Sequence, residues 1–375
     1  MKVPISKPWL GREEAQLASE AILSGWVTQG PKVAEFEKRF TDYTGAKHAI
    51  AVSNCTTALH LSMIVAGVKQ GDEVICPSMS YIATANSIKY VGAIPVFGEV
   101  DENFNLDISS ARALISPKTK AILLVHQIGM PADIDGFSKL CQEHNLVLIE
   151  DAACAIGSSY SGKKIGSHSD LVCFSFHPRK VITTGDGGMI TTSRQDYADR
   201  LRLLRQHGMS INDRVRHESQ QVIIEEYLEV GYNYRMTDIQ AGVGIYQMQR
   251  LNEIVSERRK IASRYNQAFQ SIKGLILPRD NEKTITNFQS YALIMDEVQL
   301  GVSRNEFMQR MLDRGVATRR GIMTAHREKA YEGCDYTSLE KTEFYSDNSV
   351  LLPIFVPMND DEIQYVINTV IEVLG

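Results

Sequence analysis

Two periodicities alternate along this sequence, and that alternation limits the fold more than any other feature. Short apolar runs of strand length occupy residues 48–53, 73–77, 94–100, 121–126, 146–151, 171–176 and 188–192. Between several of them lie amphipathic stretches, 56–67, 81–91, 109–115 and 135–144. In the first of these, Leu59, Met63 and Ala66 return close to the helical period. Strands that alternate with helices imply a mainly parallel sheet covered on both faces. Ligands of such sheets bind beyond the carboxyl ends of the strands. Polar residues that close a strand are therefore the first candidates for chemistry.

The flanks extend this reading. Residues 13–23 read as a helix and 25–31 as a loop. A long helix is expected over Asp238–Phe269, leading into a smaller C-terminal α/β unit. Its strands are expected at 275–278, 290–295 and 316–319, and its helices at 305–314 and 360–374. The expected division is 1–245 for the N-terminal segment and large domain, and 246–375 for the linking helix and small domain. The polar, irregular stretch 210–229 reads as a mobile loop.

Composition narrows the function classes. The 375 residues suffice for two or three domains, or for one large α/β domain with an appendage. Forty basic and 45 acidic residues leave a net charge of −5, which argues against broad nucleic-acid binding but leaves room for local phosphate-binding patches. The six cysteines form no C-x-x-C pair and read as reduced, core-packed thiols of a cytoplasmic protein. Nine histidines lack metal-ligand spacing, so no metal site is expected. Residues 1–8 carry no apolar signal core, and no run of about 18 apolar residues suggests a membrane span.

Four segments carry chemistry. The first is Ile149-Glu150-Asp151-Ala152-Ala153, an acidic strand end. A carboxylate there can keep a pyridine-type ring nitrogen protonated and so make the ring an electron sink; a helix cap or a metal ligand is the plainer alternative. The second is Ser175-Phe176-His177-Pro178-Arg179-Lys180, followed by Thr183-Thr184-Gly185-Asp186-Gly187-Gly188. Lys180 leaves a strand end as an imine-forming lysine would, and burial with neighbouring positive charge is expected to lower its pKa. Gly187 and Gly188 allow close backbone approach or positive φ. The turn matches neither a dinucleotide fingerprint nor a P-loop. The third is Ser53-Asn54-Cys55-Thr56-Thr57-Ala58-Leu59, a strand-to-helix turn whose free amides make an anion cradle or an ordinary cap. The fourth is Tyr81, whose ring either covers a planar cofactor or packs in the core.

Taken in order, these segments resemble the DegT/DnrJ/EryC1/StrS family of sugar-nucleotide aminotransferases, which depend on pyridoxal 5′-phosphate (PLP). The resemblance runs from Ser24-Gly25-Trp26-Val27-Thr28-Gln29-Gly30-Pro31 through Gly231-Tyr232-Asn233-Tyr234-Arg235-Met236-Thr237-Asp238-Ile239-Gln240-Ala241 to Leu352-Pro353. It implies an aspartate aminotransferase-like α/β fold, PLP fold type I, with a mainly parallel seven-stranded sheet in the large domain and a smaller C-terminal α/β domain. It also implies a homodimer with shared active sites. By the same resemblance Lys180 is the Schiff-base lysine and Asp151 pairs with the pyridine nitrogen. Tyr81 stacks on the ring, and Thr56, Thr57 and Ser175 bind the phosphate. Asn233 reaches the phosphate of the neighbouring subunit's cofactor, and His326 lies near the substrate. Arg319, Arg320 and Arg235 are candidates to pair with a nucleotide diphosphate, with structural salt bridging as the alternative.

The implied reaction moves an amino group from L-glutamate to a nucleotide-linked keto sugar, with C4 of a 6-deoxy hexose favoured, for a surface glycan. One branch of the family is a sugar dehydratase with histidine in place of the lysine; position 180 here is lysine, so transamination is expected. Amino-cyclitol transamination and a non-catalytic regulator are the other readings. Three departures stand out: Cys154 where many members have glutamine at a contact to the cofactor's ring oxygen, Asp186 where glutamate is more usual, and Gln127-Ile128 in place of a Leu-Tyr pair.

Overall fold

The computed structural model of the chain describes residues 1–211, 220–222, 224–334 and 336–375. Residues 212–219 and 223, inside the stretch expected to form a mobile loop, lie outside the described residues.

Strands β1 (His48–Val52), β2 (Glu73–Pro77), β3 (Ile94–Gly98), β4 (Thr119–Val125) and β5 (Val147–Asp151) come first. A short pair, β6 (Ser159–Tyr160) and β7 (Lys163–Lys164), precedes β8 (Leu171–Ser175) and β9 (Gly188–Thr192). The main sheet has seven strands in the order β1-β9-β8-β5-β4-β2-β3. Only β9 is reversed: it pairs antiparallel with both β1 and β8, while the other neighbours are parallel. All seven lie where the apolar runs predict them.

The strands are buried on both faces, and alternate side chains go to different cores. On β8, Val172 and Phe174 join a cluster with Phe36, Phe40, Phe137 and Leu251. Leu171 and Cys173 join another with Leu59, Leu61, Ile88 and Leu201. The helices that supply these clusters are α2 (Pro31–Thr44), α3 (Cys55–Val65), α4 (Ala83–Tyr90), α6 (Ile134–His144), α7 (Gln195–Leu204) and α8 (Asp238–Phe269), with α1 (Arg12–Ser24) before them and α5 (Ile108–Ala113) between β3 and β4.

Helix α2 was not among the expected helices. Its signals are present nonetheless: Pro31 at its first turn, Gly45 in the left-handed region at its end, and Val33, Phe36 and Phe40 buried along one face. The N-terminus of α2 is held from far along the chain. Asp238, buried in the first turn of α8, accepts from the Gly30 and Val33 amides with Oδ1 (2.7 and 3.0 Å) and from the Lys32 amide with Oδ2 (3.0 Å). A negative charge there satisfies donors that a helix start leaves unpaired and complements its dipole. Thr237 caps α8 itself, accepting from the Gln240 amide at 3.2 Å.

Beyond α8, strands β10 (Leu275–Ile276), β12 (Tyr291–Met295), β14 (Ser349–Leu352) and β13 (Arg319–Arg320) form an antiparallel sheet in that order. Strand β11 (Thr284–Ile285) pairs instead with β6. The strand expected at 316–319 is shorter and later than its apolar residues suggest, because Val316 is spent on a bridge to Val3. A third core, including Tyr265, Phe269, Tyr291, Phe307 and Val366, fills this region. No helix of the described residues is long and apolar enough to cross a membrane.

The Asp238 clamp yields a stability prediction. Asp238→Ala removes the acceptor for three amides and should cost about 2–3 kcal/mol, with Asp238→Asn losing less. The check is a lower midpoint of urea unfolding, in the order wild type, Asn, Ala.

Candidate active site

Three chain segments meet at the carboxyl edge of the main sheet: the end of β5, the loop after β8, and the turn from β1 into α3. Backbone contact sets their spacing. A Cβ added at Gly188 would lie 2.4 Å from the Asn54 carbonyl oxygen and 2.8 Å from the Cys55 nitrogen. Real Cβ atoms do not approach main chain so closely, so β9 can start beside this turn only as glycine. Of the two roles expected for Gly187 and Gly188, close approach is the one found; neither has positive φ. The positive φ belongs to Gly185.

Asp151 closes β5 and is buried. Its Oδ2 accepts from Thr84 Oγ1 at 2.9 Å and its Oδ1 from the Ala153 amide at 3.1 Å. Burial pushes its carboxyl up from the usual range, and these two donors and Lys180 counter that only in part. Both hydrogen-bond donors are neutral, and the opposing positive charge is that of Lys180.

Lys180 follows β8 in a turn closed by its own amide on the His177 carbonyl (2.8 Å). Its Nζ donates to Cys154 Sγ at 3.2 Å. The expectation of a lowered lysine pKa is corrected here. Burial does press it down, but Cys154, Cys55 and Asp151 outweigh burial and hold the ammonium above its ordinary value. The surroundings of the amine are thiols and a carboxylate, not the cations expected. Cys76, Cys141 and Cys173 are buried as expected, whereas Cys55, Cys154 and Cys334 are partly exposed; Cys55 and Cys334 still pack against the second core, and Cys55 and Cys154 flank the lysine.

At the start of α3, Asn54 caps the helix by accepting from the Thr57 amide at 2.9 Å. That amide is thus committed to the cap. The Thr57 hydroxyl donates to the Asn54 carbonyl at 2.7 Å, and Thr56 lies one position earlier, half-buried. Ser175 ends β8 beside the same turn and is buried. Tyr81, 71% exposed just before α4, is not a core residue.

The remaining residues lie further out. Asn233 is exposed and accepts from Arg235 Nε at 3.2 Å. Arg319 and Arg320 are exposed on β13, the latter 3.9 Å from Glu328. His326 is fully buried, with Nδ1 on Ser78 Oγ (2.5 Å) and Nε2 on Glu343 Oε1 (2.9 Å). Both ring nitrogens are engaged, so it ties the 324–326 turn to the end of β2 and presents no free polar atom.

Several contributors escaped the sequence reading. Thr84 reaches Asp151 from α4. Gln127 donates its side-chain amide to the Met79 carbonyl and its backbone amide to Asn105 Oδ1 (2.9 Å), which fixes the loop before Tyr81. Buried His126 accepts the Ala132 amide at Nδ1 (3.1 Å) and therefore donates from Nε2 to Glu150 (2.8 Å). Only the Gln127-Ile128 departure gave any hint of this layer.

An α/β sheet with a lysine and a buried carboxylate at its carboxyl edge points to a class: fold-type-I PLP enzymes, and among them aminotransferases. Comparison with known proteins agrees. The family model of the DegT/DnrJ/EryC1/StrS aminotransferase family matches residues 8–371. The spore coat polysaccharide biosynthesis protein SpsC of Bacillus subtilis is 37% identical over 377 residues, covering 99% of this chain and 97% of its own. The PLP form of Streptococcus pneumoniae Spr1654 superposes with a TM-score of 0.92 at 28% identity, covering 100% of this chain and 99% of that one. Helicobacter pylori PseC, an aminotransferase involved in the biosynthesis of pseudoaminic acid, gives 0.93 at 25% identity with the same coverage. The chain belongs to the DegT/DnrJ/EryC1/StrS aminotransferase family, a family of sugar aminotransferases that use PLP.

The residues present fit that cofactor. A buried carboxylate with only neutral hydrogen-bond donors suits a protonated ring nitrogen, and Lys180, its Nζ against the Cys154 sulfur at the same strand edge, is placed to form an imine once it sheds its proton.

Thr84→Val should move the acid limb of the activity profile to higher pH. The lost hydroxyl favours ionised Asp151, whose carboxyl burial already raises, so removing it raises that carboxyl further. Turnover at neutral pH should fall about tenfold. The measurement is kcat/KM against pH for wild type, Thr84→Val and Thr84→Ser, with serine restoring the wild-type limb.

Proposed function

We propose that this enzyme transfers an amino group from L-glutamate to a keto sugar carried on a nucleotide, a 4-keto-6-deoxy hexose, in the assembly of a surface glycan such as an O-antigen. The reading is carried by the Lys180 and Asp151 pair at one crevice, the two groups that amino transfer on PLP requires. The similarity to SpsC, a spore coat polysaccharide biosynthesis protein, supports the destination of the product.

Bound PLP supplies a carbonyl that takes up amino groups and a ring that accepts electron density. Asp151 keeps the proton on the ring nitrogen. Thr56, Thr57 and Ser175 hold the phosphate at the start of α3, where the helix dipole favours an anion. Tyr81 covers the ring. Lys180 Nζ takes the proton from Cα of glutamate and, in the second half, delivers one to the sugar carbon that becomes aminated. Arg319, Arg320 and Arg235 pair with the nucleotide diphosphate, and His326 acts on the substrate through the turn it anchors.

We further propose a homodimer in which Asn233 reaches the partner's cofactor phosphate. The exposed apolar side chains Val222, Ile224, Tyr227, Leu228 and Val230, just before Asn233, support such a contact. The division at 245/246 is kept as a proposal; Met248, Leu251 and Val255 still pack in the main core, and Ile261, Tyr265 and Phe269 in the C-terminal one. The six free thiols are in keeping with a cytoplasmic, reducing setting.

A panel of UDP-, GDP- and dTDP-linked keto sugars with glutamate, read by mass spectrometry, tests the reading. One of them should yield an amino sugar and 2-oxoglutarate. Lys180→Ala should lower turnover at least about a thousandfold with every substrate. Retained activity in that variant, or borohydride fixation of the cofactor to another side chain, would end the assignment.

A further inference from the structure

We propose that a small anion of halide size, chloride in the cell, binds in a cavity between Arg258 of α8 and Lys7 of the N-terminal segment. It answers the charge of a guanidinium that the fold buries without a carboxylate.

Arg258 is only 3% exposed. Its Nη1 donates to three main-chain carbonyls, those of Phe288 (3.1 Å), Gln289 (3.2 Å) and Ile354 (3.2 Å). Its Nε is buried as well and has no hydrogen-bond partner. Among the described residues no carboxylate pairs with it, whereas Arg259, the next residue of the helix, has Asp280 at 2.8 Å. Carbonyl dipoles solvate a guanidinium but bring no net charge, and a cation held out of water without a counter-charge is strongly unfavourable. Loss of the proton does not resolve this. Burial brings Arg258 down only to about 10, so it stays charged at neutral pH.

The space beside Arg258 has the size and the sign for an anion. A cavity of about 10 Å³ lies against it, the room that one water-sized species takes. Four parts of the chain wall it: the N-terminal segment at Lys7, the loop after β8 at Lys180 and Val181, α8 at Arg258, and the segment after β14 at Val356. Its charged wall residues are Lys7, Lys180 and Arg258, all bases, and no described acid lines it. Gln247, also in the wall, is held by Glu14 at 2.8 Å, but that carboxylate is already paired with Arg250 (3.4 Å). The Lys180 amine turns to Cys154 Sγ (3.2 Å), so the cavity is separate from the contact that the reacting amine makes. A chloride in the cavity accepts from Arg258 Nε and draws in the ammonium of Lys7, an exposed residue. A polyatomic anion such as a carboxylate or phosphate exceeds the space. The halide ties the N-terminal segment and the loop carrying Lys180 to the long helix, and it takes no part in the reaction.

The test needs no substrate. Holoenzyme is exchanged into chloride-free buffer. Sodium chloride or bromide then replaces sodium gluconate at constant ionic strength while the thermal midpoint is read. Both halides should raise the midpoint along a saturating one-site curve, by about 2–5 °C at saturation. Crystals of the holoenzyme grown in bromide should show an anomalous peak against the Arg258 guanidinium. Lys7→Met, a change at an exposed position, should raise the half-saturating halide concentration roughly two- to fivefold. Arg258→Met should abolish the response; if that variant does not fold, Lys7→Met and the bromide map decide the question. A midpoint indifferent to halide, a cavity that holds only water in the bromide crystals, or an unshifted response in Lys7→Met would overturn the proposal.

Discussion

The site depends on one close approach of main chain to main chain. Gly188 opens the reversed strand β9 against the carbonyl of Asn54 and the nitrogen of Cys55. That contact fixes the start of α3 relative to the loop carrying Lys180, because the loop is bounded by β8 before it and β9 after it. Any side chain at 188 would push the phosphate end of the site away from the lysine end. The reversed strand is therefore a spacer as much as a member of the sheet.

A second layer holds that spacer from behind. Gln240, in the first turn of α8, donates to the Asp186 carbonyl at 2.9 Å, and Gln247 accepts from the Thr183 amide at 3.2 Å. Thr184 Oγ1 donates to the same Asp186 carbonyl at 2.6 Å. The same end of α8 carries Thr237, its own cap, and Asp238, the clamp on α2. A single helix start thus braces the glycine-rich turn and the N-terminal segment together, which gives a physical reason for the Thr237–Ala241 run to accompany the Lys180 loop.

The sheet was legible because its strands are buried on both faces, so each reads as an unbroken apolar run between turn residues. The residues that close those strands were legible for the same reason: Asp151 and Ser175 interrupt apolar runs, and Lys180 follows one. What connects across the chain was not. Thr84 is an ordinary helix threonine until the fold sets it against Asp151, and the Asn287 side-chain amide donates to the Cys154 carbonyl across 133 residues. The protonation of Lys180 was read with the wrong sign because its neighbours come from β5 and α3, which local sequence does not reveal. His326 was legible as a position but not as a fully engaged, buried ring. Helix α2 was missed although its capping signals were in plain view, since its N-terminal partner lies on another helix.

The clamp on α2 also bears on the order in which the chain takes shape in a cell. Asp238 follows Val33 by 205 residues. At about 5–20 residues per second, a ribosome needs roughly 10–40 s to add that length. Through that interval the opening segment waits without its cap and without α8, whose Gly242 meets the Leu17 main chain so closely that a Cβ there would lie 2.8 Å from the Leu17 carbonyl oxygen. Residues 17–33 are thus ordered only once positions 238–242 have been added, and their exposure to proteases and chaperones is timed by elongation speed between codons 33 and 238.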